Sequence, residues 1–117
     1  MRGTDWLIPD VTFSQDLSAG ALSFTTSIGR QFKIGKIIFK VSAAITEKIT
    51  ITLDSVNGSA YDVILREKTL VGQKDYVFVP DEIDADFQSG DEIKIQCTNA
   101  NGTATISGAV KARELLH

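Results

Sequence analysis

The sequence predicts an all-β fold, an antiparallel β-sandwich of about eight short strands in a single domain over residues 1–117. Three observations predict it. Apolar and polar residues alternate with a period of two along most of the chain, turn-forming pairs interrupt that alternation at fairly even spacing, and no stretch sustains three turns of helical periodicity. At 117 residues, 43% hydrophobic and 23% charged, the chain is long enough for one core to bury roughly two-thirds of its unfolded surface without disulfides or metals.

The first twenty residues, "MRGTDWLIPDVTFSQDLSAG", carry the weakest pattern and the sole tryptophan. Residues 1–9 read as an N-terminal arm whose "WLIP" either packs under the core or reaches onto a neighbouring subunit. "DVTFS" (10–14) is a weak first strand. In "ALSFTTSI" (21–28), Leu22, Phe24, Thr26 and Ile28 share one face, with Ser23, Thr25 and Ser27 on the other, the pattern of a half-buried strand. "KIIFKVSAA" (36–44) alternates likewise, with Ile37, Phe39, Val41 and Ala43 inward and its lysines solvated.

"EKITITLDSVNGSAYDVILREK" (47–68) reads as a hairpin. Ile49, Ile51 and Leu53 alternate in its first strand and Tyr61, Val63 and Leu65 in its second, while Asn57-Gly58 between them tolerates the positive φ of a tight turn. "KDYVFVP" (74–80) is a further strand ended by Pro80, which has no N–H for a ladder. "EIKIQCT" (92–98) and "TATISGAVKAR" (103–113), separated by "NANG", read as a second hairpin; Ala104, Gly108 and the alanines of the final strand imply close backbone approach to a facing sheet. The closing "KARELLH" holds helix formers but too few to be stable alone. Eight antiparallel strands resolve as two packed sheets or a barrel, because one open sheet leaves an apolar face uncovered.

The densest carboxylates lie in "DEIDADFQSGDEIK" (81–94), which holds six of the fifteen acids. The metal candidates there are Asp81, Asp84, Asp86 and Asp91. Read from Asp84 as a calcium loop, the stretch has Ser89 where glycine is needed and Ile95 where the bidentate acid belongs. The alternative is one short helical turn near 81–87, capped by Asp81, with Glu82 and Asp84 at its positive end and Ile83 and Phe87 directed inward.

Chemistry is sparsely equipped. The one histidine is residue 117 and the one cysteine is Cys97, so neither a Ser-His or Cys-His pair nor a multi-cysteine zinc site can be assembled. There is no phosphate-cradling glycine loop and no nucleophile elbow, and the three residues Trp6, Tyr61 and Tyr76 are few platforms for a glycosidase cleft. The expectation is a chain without catalytic residues or cofactor. Cys97, on the apolar face of its strand, is expected to be a buried core residue.

Charge is uneven. Residues 1–46 carry five Lys/Arg against three acids and residues 47–117 seven against twelve. Arg30, Lys33, Lys36 and Lys40 form a basic span, but four cations in a chain of pI 5.0 argue against nucleic acid. The longest apolar runs are far short of the roughly 20 residues of a membrane span, and Asp5, Pro9 and Asp10 break the place of a secretion signal.

"FQSGDEIKI" (87–95), an aromatic followed by a Gly-Asp turn into an alternating strand, resembles the late-strand entry of jelly-roll sandwiches found among virion proteins, tumour-necrosis-factor-like domains and carbohydrate-binding modules. Across most of the chain, the small size, Thr/Ser-rich strands and N-terminal arm are similar to accessory structural proteins of tailed bacteriophages, such as head-decoration proteins. The resemblance implies a jelly-roll fold and a homo-oligomer, often a trimer, clipped onto a capsid or another virion surface. Its contacts would come from Trp6, Leu7 and Ile8 of the arm and from Arg30, Lys33 and Lys36. A carbohydrate-binding or lectin-like module is the alternative.

Overall fold

The computed structural model describes residues 6–7, 10–27, 31–80, 86–99 and 104–114. Eight strands follow in order: β1 (Trp6–Leu7), β2 (Val11–Asp16), β3 (Leu22–Ser27), β4 (Phe32–Asp54), β5 (Val63–Phe78), β6 (Asp86–Phe87), β7 (Glu92–Cys97) and β8 (Thr105–Glu114). A single 3₁₀ turn, Ser59–Tyr61, sits at the β4–β5 connection.

Every pairing is antiparallel, and together they define two four-stranded layers. In the first, β2 pairs β8, β8 pairs the front half of β4, and that half pairs the back half of β5. In the second, β3 pairs β7, β7 pairs the back half of β4, and that half pairs the front half of β5. This is the double-sheet jelly roll, as the resemblance implied. β1 continues the β2 side of β8, through Trp6↔Glu114 and Leu7↔Arg113, and β6 sits beside the start of β4.

Strands β4 and β5 belong to both layers, for a geometric reason. At about 3.3 Å per residue, the 23 residues of β4 would run about 76 Å flat, whereas the longest dimension of the molecule is 46 Å. The strand must therefore bend, and its register against β5 breaks between Lys40 and Ile45 and again before Glu47. Opposite this bend, Gly72 of β5 takes φ +59, the left-handed conformation that favours glycine. The sequence expectation of separate strands at 36–44 and 47–54, and at 61–66 and 74–80, is corrected accordingly. Both pairs are continuous bent strands, and Ala43, expected inward, is exposed at the bend.

A second correction concerns the chain's last strands. β7 and β8 are not a hairpin: they lie one in each layer, both against β4. A third concerns 81–87, where Asp86 and Phe87 are extended and pair Lys33 and Phe32 rather than ending a helical turn; residues 81–85 are outside the described residues. Residues 111–114, read as the start of a helix-forming tail, continue β8.

The core lies between the layers. Phe13 of β2 meets Phe24 of β3 at 5.4 Å and Phe39 of β4 at 5.5 Å between ring centroids. Phe32 and Phe87 stack at 4.6 Å at one end. Ile37, Phe39, Ile49, Ile51, Ile93, Ile95 and Ile106 are fully buried, each such side chain contributing about 1.5–3 kcal/mol. Gly108 makes room for this packing, since a Cβ there would lie 2.3 Å from both the Phe13 ring and the Ile38 carbonyl oxygen. The close approach expected around Gly108 therefore comes from a side chain and the adjacent strand, not from the backbone of a facing sheet.

Candidate interaction surface

The described part of the acidic segment, residues 86–94, is built around Asp91. Asp91 is buried, and its carboxylate accepts the Val56 N–H on Oδ1 at 2.8 Å and the Gln88 N–H on Oδ2 at 2.9 Å. Its own N–H donates to the Gln88 carbonyl at 3.0 Å, closing the turn in which Gly90 has φ +95. Asp91 thus ties the tip of the β4–β5 hairpin to the entry of β7. Asp86 contributes its backbone to the β4 pairing, while Asp81 and Asp84 lie outside the described residues. Among the described residues no three His, Cys, Asp or Glu side chains are grouped to hold a metal.

Two other polar or reactive groups are buried near the β4 bend. Glu47 accepts the Thr98 hydroxyl at 2.7 Å, and Thr98 Oγ1 in turn accepts the Lys48 N–H at 2.9 Å, which fastens the bend to the end of β7. Cys97 is buried as expected; burial, reinforced by the Glu47 charge, pushes its thiol up to about 11. It is held as a neutral core side chain rather than a nucleophile.

Of the expected contact residues, Trp6 and Leu7 add their backbone to β8 within the same chain. Ile8 and Arg30 are outside the described residues. Lys33 is half-buried, whereas Lys36 is exposed opposite Lys111 on the outer face of the first layer. Lys111 Nζ reaches Asp10 Oδ2 at 2.6 Å, so part of the basic character of this face is neutralised locally. Of the aromatic platforms, Tyr61 is exposed, but Tyr76 is half-buried and stacked on Phe39 at 5.9 Å.

What sequence reasoning missed is β5. All the large apolar side chains that stand exposed among the described residues fall between Val56 and Val79: Val56, Tyr61, Val63, Ile64, Val71, Val77 and Val79, with Val71 74% exposed. β5 pairs only β4 among the described residues, so its far edge carries unpaired N–H and C=O groups. The apolar surface continues inward from that edge, because Val77 is opposite Ile38 and Ile38 is opposite Ala109. There a shallow depression of about 310 Å³ opens, lined by Ile38, Lys40, Ser107, Gly108, Ala109 and Lys111. The signal was legible in "YVFV" (76–79), which has no polar face; a strand apolar on both faces is expected to be covered on both.

No protein-family model matches the chain, and no curated protein is significantly similar to it. Among solved structures it is similar to a chain described as "Structure of infectious bursal disease virus Gx strain", with 18% identity and a TM-score of 0.39. The match covers 96% of this chain and 32% of the other, so this chain spans about a third of that neighbour's length.

Proposed function

We propose that the chain is a non-enzymatic structural and interaction protein that works by self-association and by binding a larger surface, and that it is a component of a phage virion such as a capsid-decoration protein. The observation that carries this reading is the concentration of exposed apolar side chains on and beside one edge strand, β5, whose far side has no partner among the described residues. Contiguous exposed apolar surface on a folded domain marks an interaction site. The jelly-roll architecture is common to capsid proteins and lectins, so fold alone does not choose between them. The choice rests on the strand edge, which suits a protein partner, against Tyr61, the one aromatic that stands exposed among the residues whose side chains are described.

Light scattering and particle sedimentation test the reading. The expected results are a solution mass that is a multiple of 12.7 kDa and co-sedimentation with capsids at fixed stoichiometry. A strict monomer that leaves capsids bare and binds an immobilised glycan would overturn it in favour of the lectin-like role.

A further inference from the structure

We propose that the outer face of the first layer, where β4 and β8 run side by side, docks an acidic segment of a partner protein. The segment is extended and carries one apolar side chain and two carboxylates at alternate positions. The proposal rests on the reading of the chain as a protein that binds a larger surface, and deepens it by naming the face and the chemistry of the contact.

Two independent features carry it. The first is a pair of like-charge rungs. Lys33 is opposite Arg113 and Lys36 is opposite Lys111 in the β4–β8 register. Their chain neighbours Phe32, Ile34 and Ile37 on β4, and Val110 and Ala112 on β8, are buried, so all four cations belong to the outer face. The two lysines are three residues apart, and the register shift between Ile34 and Lys36 is what brings both outward. Like charges directly opposite each other on a sheet are destabilising, and stability gives no reason for two such rungs in succession. Acids answer part of this charge: Asp10 is ion-paired with Lys111, and Asp86 is in register with Lys33. Lys36 and Arg113 are both exposed, and neither has a carboxylate in register among the described residues.

The second feature is the apolar depression beside them. The next outward rung along β8 is Ala109 opposite Ile38, and there the hollow of about 310 Å³ opens, with Lys40 and Lys111 also in its lining. Ala109, Lys111 and Arg113 follow one another at alternate positions, so one apolar and two cationic rungs succeed each other at about 7 Å. An extended segment laid along β8 repeats its own same-side positions at the same spacing. Burial of its apolar side chain against Ile38 and Ala109 supplies affinity that exposed ion pairs alone do not, and its carboxylates set its register. A polynucleotide is the other polyanion to weigh, and this face offers it no stacking platform: the one exposed aromatic among the described side chains is Tyr61, at the β4–β5 connection.

The test uses the full chain and two synthetic peptides, GLSESEG and the reversed GESESLG, because the face can be read in either direction. One of them is expected to move the amide resonances of Lys36, Ala109, Lys111 and Arg113. Affinity is expected to fall about fivefold when both glutamates are replaced by glutamine, and similarly between about 0.05 and 0.5 M salt. Lys36→Glu with Arg113→Glu is expected to weaken peptide binding about tenfold and to abolish co-sedimentation with capsids. Its urea midpoint is expected to be no lower than that of the wild type, since both rungs become opposite-charge pairs.

No shift on this face with either peptide, binding that the double reversal leaves intact, or tighter binding of an oligothymidylate overturns the proposal. So does about tenfold tighter peptide binding by Asp81→Asn with Glu82→Gln and Asp84→Asn, which assigns the cations to the chain's own carboxylates. Capsid binding that survives the double reversal overturns this face and leaves the virion reading standing. Peptide binding by a chain that leaves capsids bare overturns the virion reading and leaves this face.

Discussion

The two edges of the folded sheet are built from the same alternation and finished differently. Along β2 and β3 the exposed positions are Thr12, Ser14, Asp16, Ser23, Thr25 and Ser27, and the large apolar side chains Phe13 and Leu22 are buried. Along β5 the exposed positions include Ile64, Val71 and Val77. Hydroxyl-bearing side chains let water satisfy an edge, and Asp16 adds a charge that resists pairing with another strand. The β2–β3 side thus offers polar side chains to water, and the β5 side offers apolar ones. A strand's place at an edge does not by itself decide what it binds; the side chains offered to solvent do.

The largest expected effect tests how the quiet edge keeps its aromatic ring inside. Gly108→Val places carbon where Phe13 and the Ile38 carbonyl already stand, and should cost about 3 kcal/mol in urea unfolding while driving Phe13 outward. The β2 side would then expose an aromatic ring and bind hydrophobic dye, as the β5 side should in a monomeric variant. Asp91→Ala comes next, because it strips the acceptor from the Val56 and Gln88 amides. It should cost about 2 kcal/mol, with hydrogen exchange accelerated at residues 55–62, which lead into β5, and not in β3.

Cys97 reports on the other side, since it lies opposite Leu22 of β3. Its reaction with a thiol reagent at neutral pH should be on the order of 10³-fold slower than in the unfolded chain, limited by opening of the β3 edge. The thiol is raised from its ordinary 9.0 to about 11. The neutral thiol's contribution to stability is therefore complete below about 9 and is lost as the pH climbs through about 11, a loss that alkaline unfolding curves should show and that Cys97→Ser should abolish.

Exchanging the character of the edges is the direct comparison. Ser23→Val with Thr25→Val should leave monomer stability within about 0.5 kcal/mol yet create new association by light scattering. Val71→Ser with Val77→Ser should have the same small effect on stability and remove association. The smallest effect belongs to Asp16, whose carboxylate accepts the Ser18 hydroxyl at 2.7 Å and the Ser18 N–H at 2.9 Å. These bonds, the hydroxyl foremost, hold its carboxyl below the ordinary 3.8. Its contribution is present above that value and fades as the pH falls through the lower one; an NMR titration in which Asp16 titrates like a free aspartate would contradict the geometry.

Much of this architecture was readable because it rests on period two. The alternation of Leu22, Phe24 and Thr26, of Ile37, Phe39 and Val41, and of Ile93, Ile95 and Cys97 names the inward face of each segment, because successive side chains on a strand point to opposite sides. The Asn57-Gly58 turn and the Ser89-Gly90-Asp91 corner were legible for the same local reason, a demand for positive φ that the structure meets with Gly58 at +113 and Gly90 at +95. Fold class, turn chemistry and the burial of Cys97 and Phe87 were therefore determined by the chain's local pattern. Pairing was not. Whether "EIKIQC" joins "TISGAV" or each flanks β4 depends on contacts far apart in sequence. Whether two apolar runs are two strands or one bent strand depends on how 23 residues fit within 46 Å. Asp91 looked like a metal ligand and became a clamp once folding brought Val56 to it, and Val71 and Val77 became a surface only when β5 was left at the edge. Local sterics and hydrophobic periodicity set each segment's conformation; the closing of two layers over one core decided which segments became interior, which became an apolar edge and which offered polar side chains to water.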